Sequence, residues 1–153
     1  MQIELETIIA APPAAVFSTL ADVGSWAQFM SGVDSVEMLT PGAIAAGTRF
    51  RETRTMFGKT ATEEMTVVEI APPNRLLLTA SNHGTAYRVD HKLATATDGT
   101  RLSFQFSGTP VTLLARIFAP LGLLFAGSVR KQIEKDLADF KREAERRHCS
   151  GLE

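Results

Sequence analysis

In the run Thr85-Ala-Tyr-Arg-Val-Asp-His-Lys-Leu93, alternation puts Tyr87, Val89, His91 and Leu93 on one face of a strand and Arg88, Asp90 and Lys92 on the other. The first face is the more apolar and turns inward. An imidazole and a phenol on such a wall can hydrogen-bond a ligand carbonyl or hydroxyl, or exchange a proton with it. The same placement also suits two core-edge residues satisfied by neighbours or water. In Thr48-Arg-Phe-Arg-Glu-Thr-Arg-Thr-Met56, the face holding Phe50 and Met56 also holds Glu52 and Arg54. Buried charges are costly unless paired, so this acid and base read either as a polar anchor for a ligand head group or as rim residues beyond a bulge. His91, Tyr87, Glu52 and Arg54 are therefore the candidates for proton transfer. Along 60–71 two inward sets compete, Glu63/Met65/Val67 and Glu64/Thr66/Val68/Ile70.

Other chemistries lack their residues. There is no Gly-x-Ser-x-Gly, His-Glu-x-x-His, Cys-x-x-Cys or Gly-x-Gly-x-x-Gly pattern. Gly58-Lys59-Thr60 imitates the end of a phosphate loop, but Thr53 stands where the earlier glycine is required, and the segment reads as a turn. His83 falls in a turn and His148 in the tail, so neither joins a metal cluster; no metal and no cofactor is expected. The single cysteine, Cys149, has no partner for a disulfide, which fits a reducing cytoplasm.

The positioning elements follow from periodicity. Gln2 to Ile9 alternates as a strand with Ile3 and Leu5 inward. Pro12-Pro13 stops it and opens a short helix, 13–22, that buries Val16, Phe17 and Leu20. A second short helix over 23–30, with Ser25 as N-cap, brings Trp26, Phe29 and Met30 to a pocket mouth. Six strands are then predicted at 33–39, 47–57, 60–71, 75–81, 84–96 and 100–109, separated by turn residues. Asp98-Gly99 is the strongest turn signal and suits a type I′ hairpin. Phe104 and Phe106 belong to the inward face of the last strand.

The stretch from Pro110 to Gly127 is almost wholly apolar, and from Val129 onward Val129, Ile133, Leu137, Phe140 and Ala144 hold one helical face. Together they read as one long C-terminal helix. Its first half carries Leu114, Ile117, Phe118, Leu121, Phe125 and Val129 as a cavity floor, and Pro120 with Gly122 should bend or interrupt it. The apolar run falls short of the roughly 20 residues a membrane span needs and contains Arg116 and Pro120, so stable insertion is not expected. The acidic N-terminal stretch does not read as a secretory signal.

The order βααββββββα describes an α+β helix-grip arrangement, in which a curved seven-stranded antiparallel sheet closes around the C-terminal helix and leaves a pocket. At 153 residues, 44% apolar and a formal net charge of −1, the chain is one globular domain with no field to attract nucleic acid. The domain spans 1–148, and 149–153 is a polar tail whose Leu152-Glu153 is consistent with a cloning scar.

That order, with Ala11-Pro-Pro-Ala-Ala-Val-Phe17, Leu20, Asp22 and Trp26, Gly47-Thr-Arg-Phe50, Val67-Val-Glu-Ile-Ala-Pro-Pro-Asn-Arg75 and Asp98-Gly-Thr-Arg-Leu102, resembles the START-like, Bet v 1-like helix-grip superfamily (SRPBCC), in particular its polyketide cyclase/dehydrase-like branch. The resemblance covers roughly 2–147. It implies binding or carriage of a small hydrophobic molecule of lipid, polyketide or aromatic type by a monomer or homodimer. Two alternatives stay open: a cyclase, aromatase or dehydratase using the cavity acids and bases, and lipid or quinone transfer at a membrane surface with 111–127 as a gate.

Overall fold

A computed structural model describes residues 1–56 and 58–151; the expected end of the second meander strand at 57 and the Leu152-Glu153 pair lie outside the described residues. The elements run β1 (Gln2–Ile9), α1 (Pro13–Ala21), a 3-10 turn (Val23–Ser25), α2 (Trp26–Phe29), β2 (Ser35–Met38), β3 (Arg49–Met56), β4 (Lys59–Ala71), β5 (Arg75–Asn82), β6 (Thr85–Ala96), β7 (Gly99–Pro110), α3 (Leu113–Leu123) and α4 (Ala126–Gly151). All seven strands form one antiparallel sheet in the order β1-β7-β6-β5-β4-β3-β2. The fold is the expected α+β helix grip, with α4 held in the concave face.

Proline at its first position starts α1, which buries Val16, Phe17 and Leu20. Ser25 makes no side-chain cap at α2; the predicted second helix is a 3-10 turn followed by a single α turn. Val16, Trp26, Phe50, Val67, Leu76, Leu102 and Phe140 join one core between sheet, α1 and α4. Those strand residues lie toward the β1 C-terminal end of the sheet, which leaves room at the opposite end.

Two turns differ from expectation. The type I′ hairpin is at His83-Gly84, where φ is 48° and 74° and Asn82 pairs with Thr85. At the β6–β7 turn Ala96 pairs with Gly99, and the left-handed φ belongs to Gly99 alone, at 142°. A Cβ there would stand 2.0 Å from the Ile9 carbonyl oxygen, so close approach of β1 is what demands glycine.

The larger correction concerns the C-terminal helix. It is two helices bent by 76°, and the break comes after Leu123 rather than at Pro120, which α3 accommodates. Leu124 N–H donates to Leu121 O and Phe125 N–H to Gly122 O, three-residue steps that tighten the end of α3 before α4 begins. Gly122 and Gly127 flank the break and weaken helix continuity. α3 packs its small Ala115 and Ala119 toward the domain. Its large side chains point away from it, from Phe118 at 54% exposed to Leu113 at 75%. No single described helix is long and apolar enough to cross a membrane.

Candidate ligand cavity

A cavity of about 340 Å³ lies between the concave face of the sheet and the first half of α4. Its wall is built by alternation on the strands: Glu52, Arg54 and Met56 from β3, Glu63 and Met65 from β4, Leu78 and Ala80 from β5, Tyr87, Val89 and His91 from β6, Leu102, Phe104 and Phe106 from β7. Val129, Gln132, Ile133, Asp136, Leu137 and Phe140 close it from α4, with Leu20, Trp26 and Met30 at its inner end and Met1 at its edge. A larger depression of about 750 Å³ crosses the outer face of the sheet, among Thr66, Thr79, Ser81, Ser107 and Thr109. Its hydroxyl lining gives an apolar molecule little to exchange for water.

The inward sequence candidates converge on this wall: Trp26, Met30, Tyr87, Val89, His91, Phe104, Phe106, Glu52 and Arg54 all border the cavity. Phe50 does not. It is fully buried behind the wall, edge-on to Trp26 at 5.8 Å. Phe29 faces away and lies under the Arg147 guanidinium at 5.3 Å. Leu114, Ile117, Phe118, Leu121 and Phe125 do not form the floor, because the bend after Leu123 carries α3 off the sheet; the α4 stripe takes their place.

Trp26 is oriented by its indole N–H, which donates to Leu20 O at 3.2 Å and leaves the ring as apolar wall. His91 Nδ1 lies 3.1 Å from Leu76 O. A carbonyl only accepts, so Nδ1 carries the proton and Nε2 keeps its lone pair. Burial pushes the imidazole down to about 4, against the opposing influence of the Leu76 carbonyl and Asp90, so the ring is neutral at pH 7. Phe104 meets it edge-on at 5.2 Å. The Tyr87 phenol, stacked on Phe106, is pushed up by burial and by the nearby Glu63 charge, and stays a hydroxyl.

The charged groups are tied together. Arg54 bonds Glu52 through Nε and donates from Nη1 to Asp136 Oδ2 at 2.6 Å. Burial works against the Arg54 charge, yet Glu52 and Asp136 hold its pKa above the usual value. Burial pushes Asp136 up; Arg54 opposes this, while Glu52 and Asp139 reinforce it. Asp136 Oδ1 is buried without a hydrogen-bond partner among the described residues. It packs against the backbone of Gly32, where a Cβ would stand 2.7 Å away. Glu63 faces inward and accepts from Asn82 Nδ2 at 2.6 Å, whereas Glu64 turns outward to Arg49.

Asp136 also borders the cavity and is not among the sequence candidates. Its signal was an acid three residues after Ile133 and one before Leu137, inside the apolar stripe. Beside it, Asp139 accepts from Ser31 N–H at 2.9 Å and Ser31 Oγ at 2.8 Å, which clips the segment after α2 onto α4. Among the described residues no three His, Cys, Asp or Glu side chains gather as a metal site.

Solved structures share this architecture. Ara h 8.0201 superposes with a TM-score of 0.74 at 17% identity, covering 94% of this chain and 97% of that one. TTHA0849 from Thermus thermophilus gives 0.71 at 18% identity over 94% and 97%. The di-domain ARO/CYC StfQ of the steffimycin biosynthetic pathway gives 0.77 at 15% identity, over 95% of this chain and 51% of that one. Such identities speak to the fold alone. No curated protein matches the sequence. The family model described as polyketide cyclase / dehydrase and lipid transport matches residues 1–145, and the chain belongs to that family.

Proposed function

We propose that the chain binds and carries a small hydrophobic molecule in the cavity between sheet and α4. The observation that supports this is the wall itself: a largely apolar concavity of about 340 Å³ with a few inward polar groups, the composition of a small-ligand site. Proton-transfer catalysis by a cyclase or dehydratase has less to stand on. A neutral imidazole near pKa 4 is a weak base at pH 7, and a phenol pushed upward is a poor acid. Native mass spectrometry of the protein from its own cells, followed by extraction, should reveal a bound apolar molecule. Purified protein should also take up the neutral fluorophore 1-aminoanthracene, and Val89→Phe should abolish uptake while leaving the thermal midpoint within a few degrees. An empty protein that also ignores the fluorophore overturns the proposal.

The exposure of α3 favours a second reading, exchange of that ligand at an anionic bilayer surface. Leu113, Leu114, Ile117, Phe118, Leu121 and Leu124 are each more than half exposed. They stand at the sheet end where Met56, Tyr87, Phe106 and Val129 border the cavity. From Pro110 to Ile133 the only charges are Arg116, Arg130 and Lys131. Arg130 is paired with Glu134 at 3.2 Å, so the charge of this face rests chiefly on Arg116 and Lys131; a second copy packed here would bring these like charges together, whereas anionic lipid complements them. The protein should sediment with phosphatidylglycerol vesicles and not with phosphatidylcholine vesicles. Leu114→Ser/Ile117→Ser/Phe118→Ser should remove that binding; vesicles that retain the triple variant, or never retain the parent, count against it.

A further inference from the structure

We propose that the cavity discriminates by charge, accepting uncharged or cationic ligands that carry a hydrogen-bond donor and rejecting carboxylates. This rests on the carrier reading and names the ligand class of the same site. Three carboxyl groups, Glu52, Glu63 and Asp136, border the cavity against one guanidinium, Arg54. Arg54 is already held by two of them. An entering carboxylate would meet a cation whose charge is offset on both sides and two or more like charges in a medium of low dielectric. The Met1 amino group, at the cavity edge, donates to Gly108 O at 3.1 Å and is the other cation there.

The hydrogen-bonding inventory points the same way. With Nδ1–H committed to Leu76 O, His91 offers the cavity a lone pair at Nε2. Glu63 uses one bond to Asn82 and keeps acceptor capacity. The wall therefore offers acceptors to a donating ligand. The donors are the Tyr87 hydroxyl, the remaining guanidinium hydrogens of Arg54, the Gln132 amide and, at the edge, the rest of the Met1 ammonium, so a neutral carbonyl is also accommodated and it is the excess of carboxylates, not a want of donors, that disfavours an anion. A phenol, alcohol or amine donates to this wall; a fatty acid anion faces lone pairs.

The test holds the apolar part constant. Displacement of 1-aminoanthracene is measured at pH 7 with decanol, decylamine and decanoate. Decanol and decylamine should displace it at concentrations at least about tenfold below decanoate, the scale set by one unit charge facing another across a partly hydrated site. Glu63→Gln/Asp136→Asn should bring decanoate to within about threefold of decanol. Glu63→Gln alone, at the edge of the cavity, keeps the test open if the double variant does not fold, and should close part of the gap. Decanoate that equals decanol on the parent protein, or a gap that neither variant narrows, overturns the charge selection while leaving carriage intact. If neither the fluorophore nor any of the three chains binds, carriage itself fails and this proposal with it.

Discussion

His91 couples stability to pH, and the sign follows from its burial. The folded imidazole titrates near 4 against an ordinary 6.5, so above about pH 6.5 both folded and unfolded forms are neutral and the full contribution stands. As pH falls toward 4 the unfolded chain takes up the proton and the folded chain does not, so stability is lost across that window. Between about pH 7.5 and about pH 5 the loss amounts to about 2 kcal/mol. The lowered carboxyls Asp90 and Asp139, and Glu143 near 2, lose their contributions mainly below that window. Asp136 acts in the opposite direction, since its folded form is the first to take a proton, and it does so equally in parent and variant. Urea denaturation at about pH 7.5 and about pH 5 should therefore show His91→Gln losing about 2 kcal/mol less than the parent across the interval, whatever its absolute stability. His83 and His148 are common to both proteins. A variant whose stability falls as steeply as the parent's refutes the assignment of a buried neutral imidazole.

Two glycines make sharper packing predictions. Gly99→Ala combines a left-handed φ of 142° with a Cβ 2.0 Å from the Ile9 carbonyl, and should cost at least about 2 kcal/mol in urea; a cost below about 0.5 kcal/mol contradicts the described contact. Gly32→Ala should cost about 1–2 kcal/mol by displacing Asp136 from Arg54, and much less in an Asp136→Ser background. An equal cost in both backgrounds would place the strain elsewhere.

The strand face of Tyr87, Val89 and His91 is readable because β6 keeps one unbroken register with β7 from Thr85 to Ala96, so its side chains alternate between faces throughout. The ambiguity between Glu63 and Glu64 arises because β4 does not alternate throughout: its register shifts between Val67 and Glu69, so Glu63, Met65 and Val67 face inward before the bulge and Ile70 packs on the core after it. Each competing set holds part of the answer. Phe50 is legible as inward, but alternation gives a side chain's face and not its depth, and Phe50 packs edge-on behind Trp26, which takes the place on the wall. For 113–125 an apolar helix carries no local mark of what covers it, and the bend at Leu124 arises from a tightened helix end that hydropathy does not register. The Asp98-Gly99 dipeptide signals a turn correctly, while the positive φ pair goes to His83-Gly84, a sequence that composition alone ranks lower.

The ties along α4 are unevenly distributed, and this grades how the helix opens. Beyond Asp136 it is fastened by Asp139 to Ser31, by Glu145 to the Ala10 N–H at 3.0 Å and by Arg147 to Asp22 at 3.0 Å, with Phe140 and Ala144 in the core. From Ala126 to Gln132 no residue is buried, and Val129 and Gln132 border the cavity. Amide hydrogens in that first stretch should therefore exchange through local fraying, and those from Asp139 to Arg147 more slowly, toward the rate of global unfolding. Release of that first stretch leaves the cooperative unit of the fold intact.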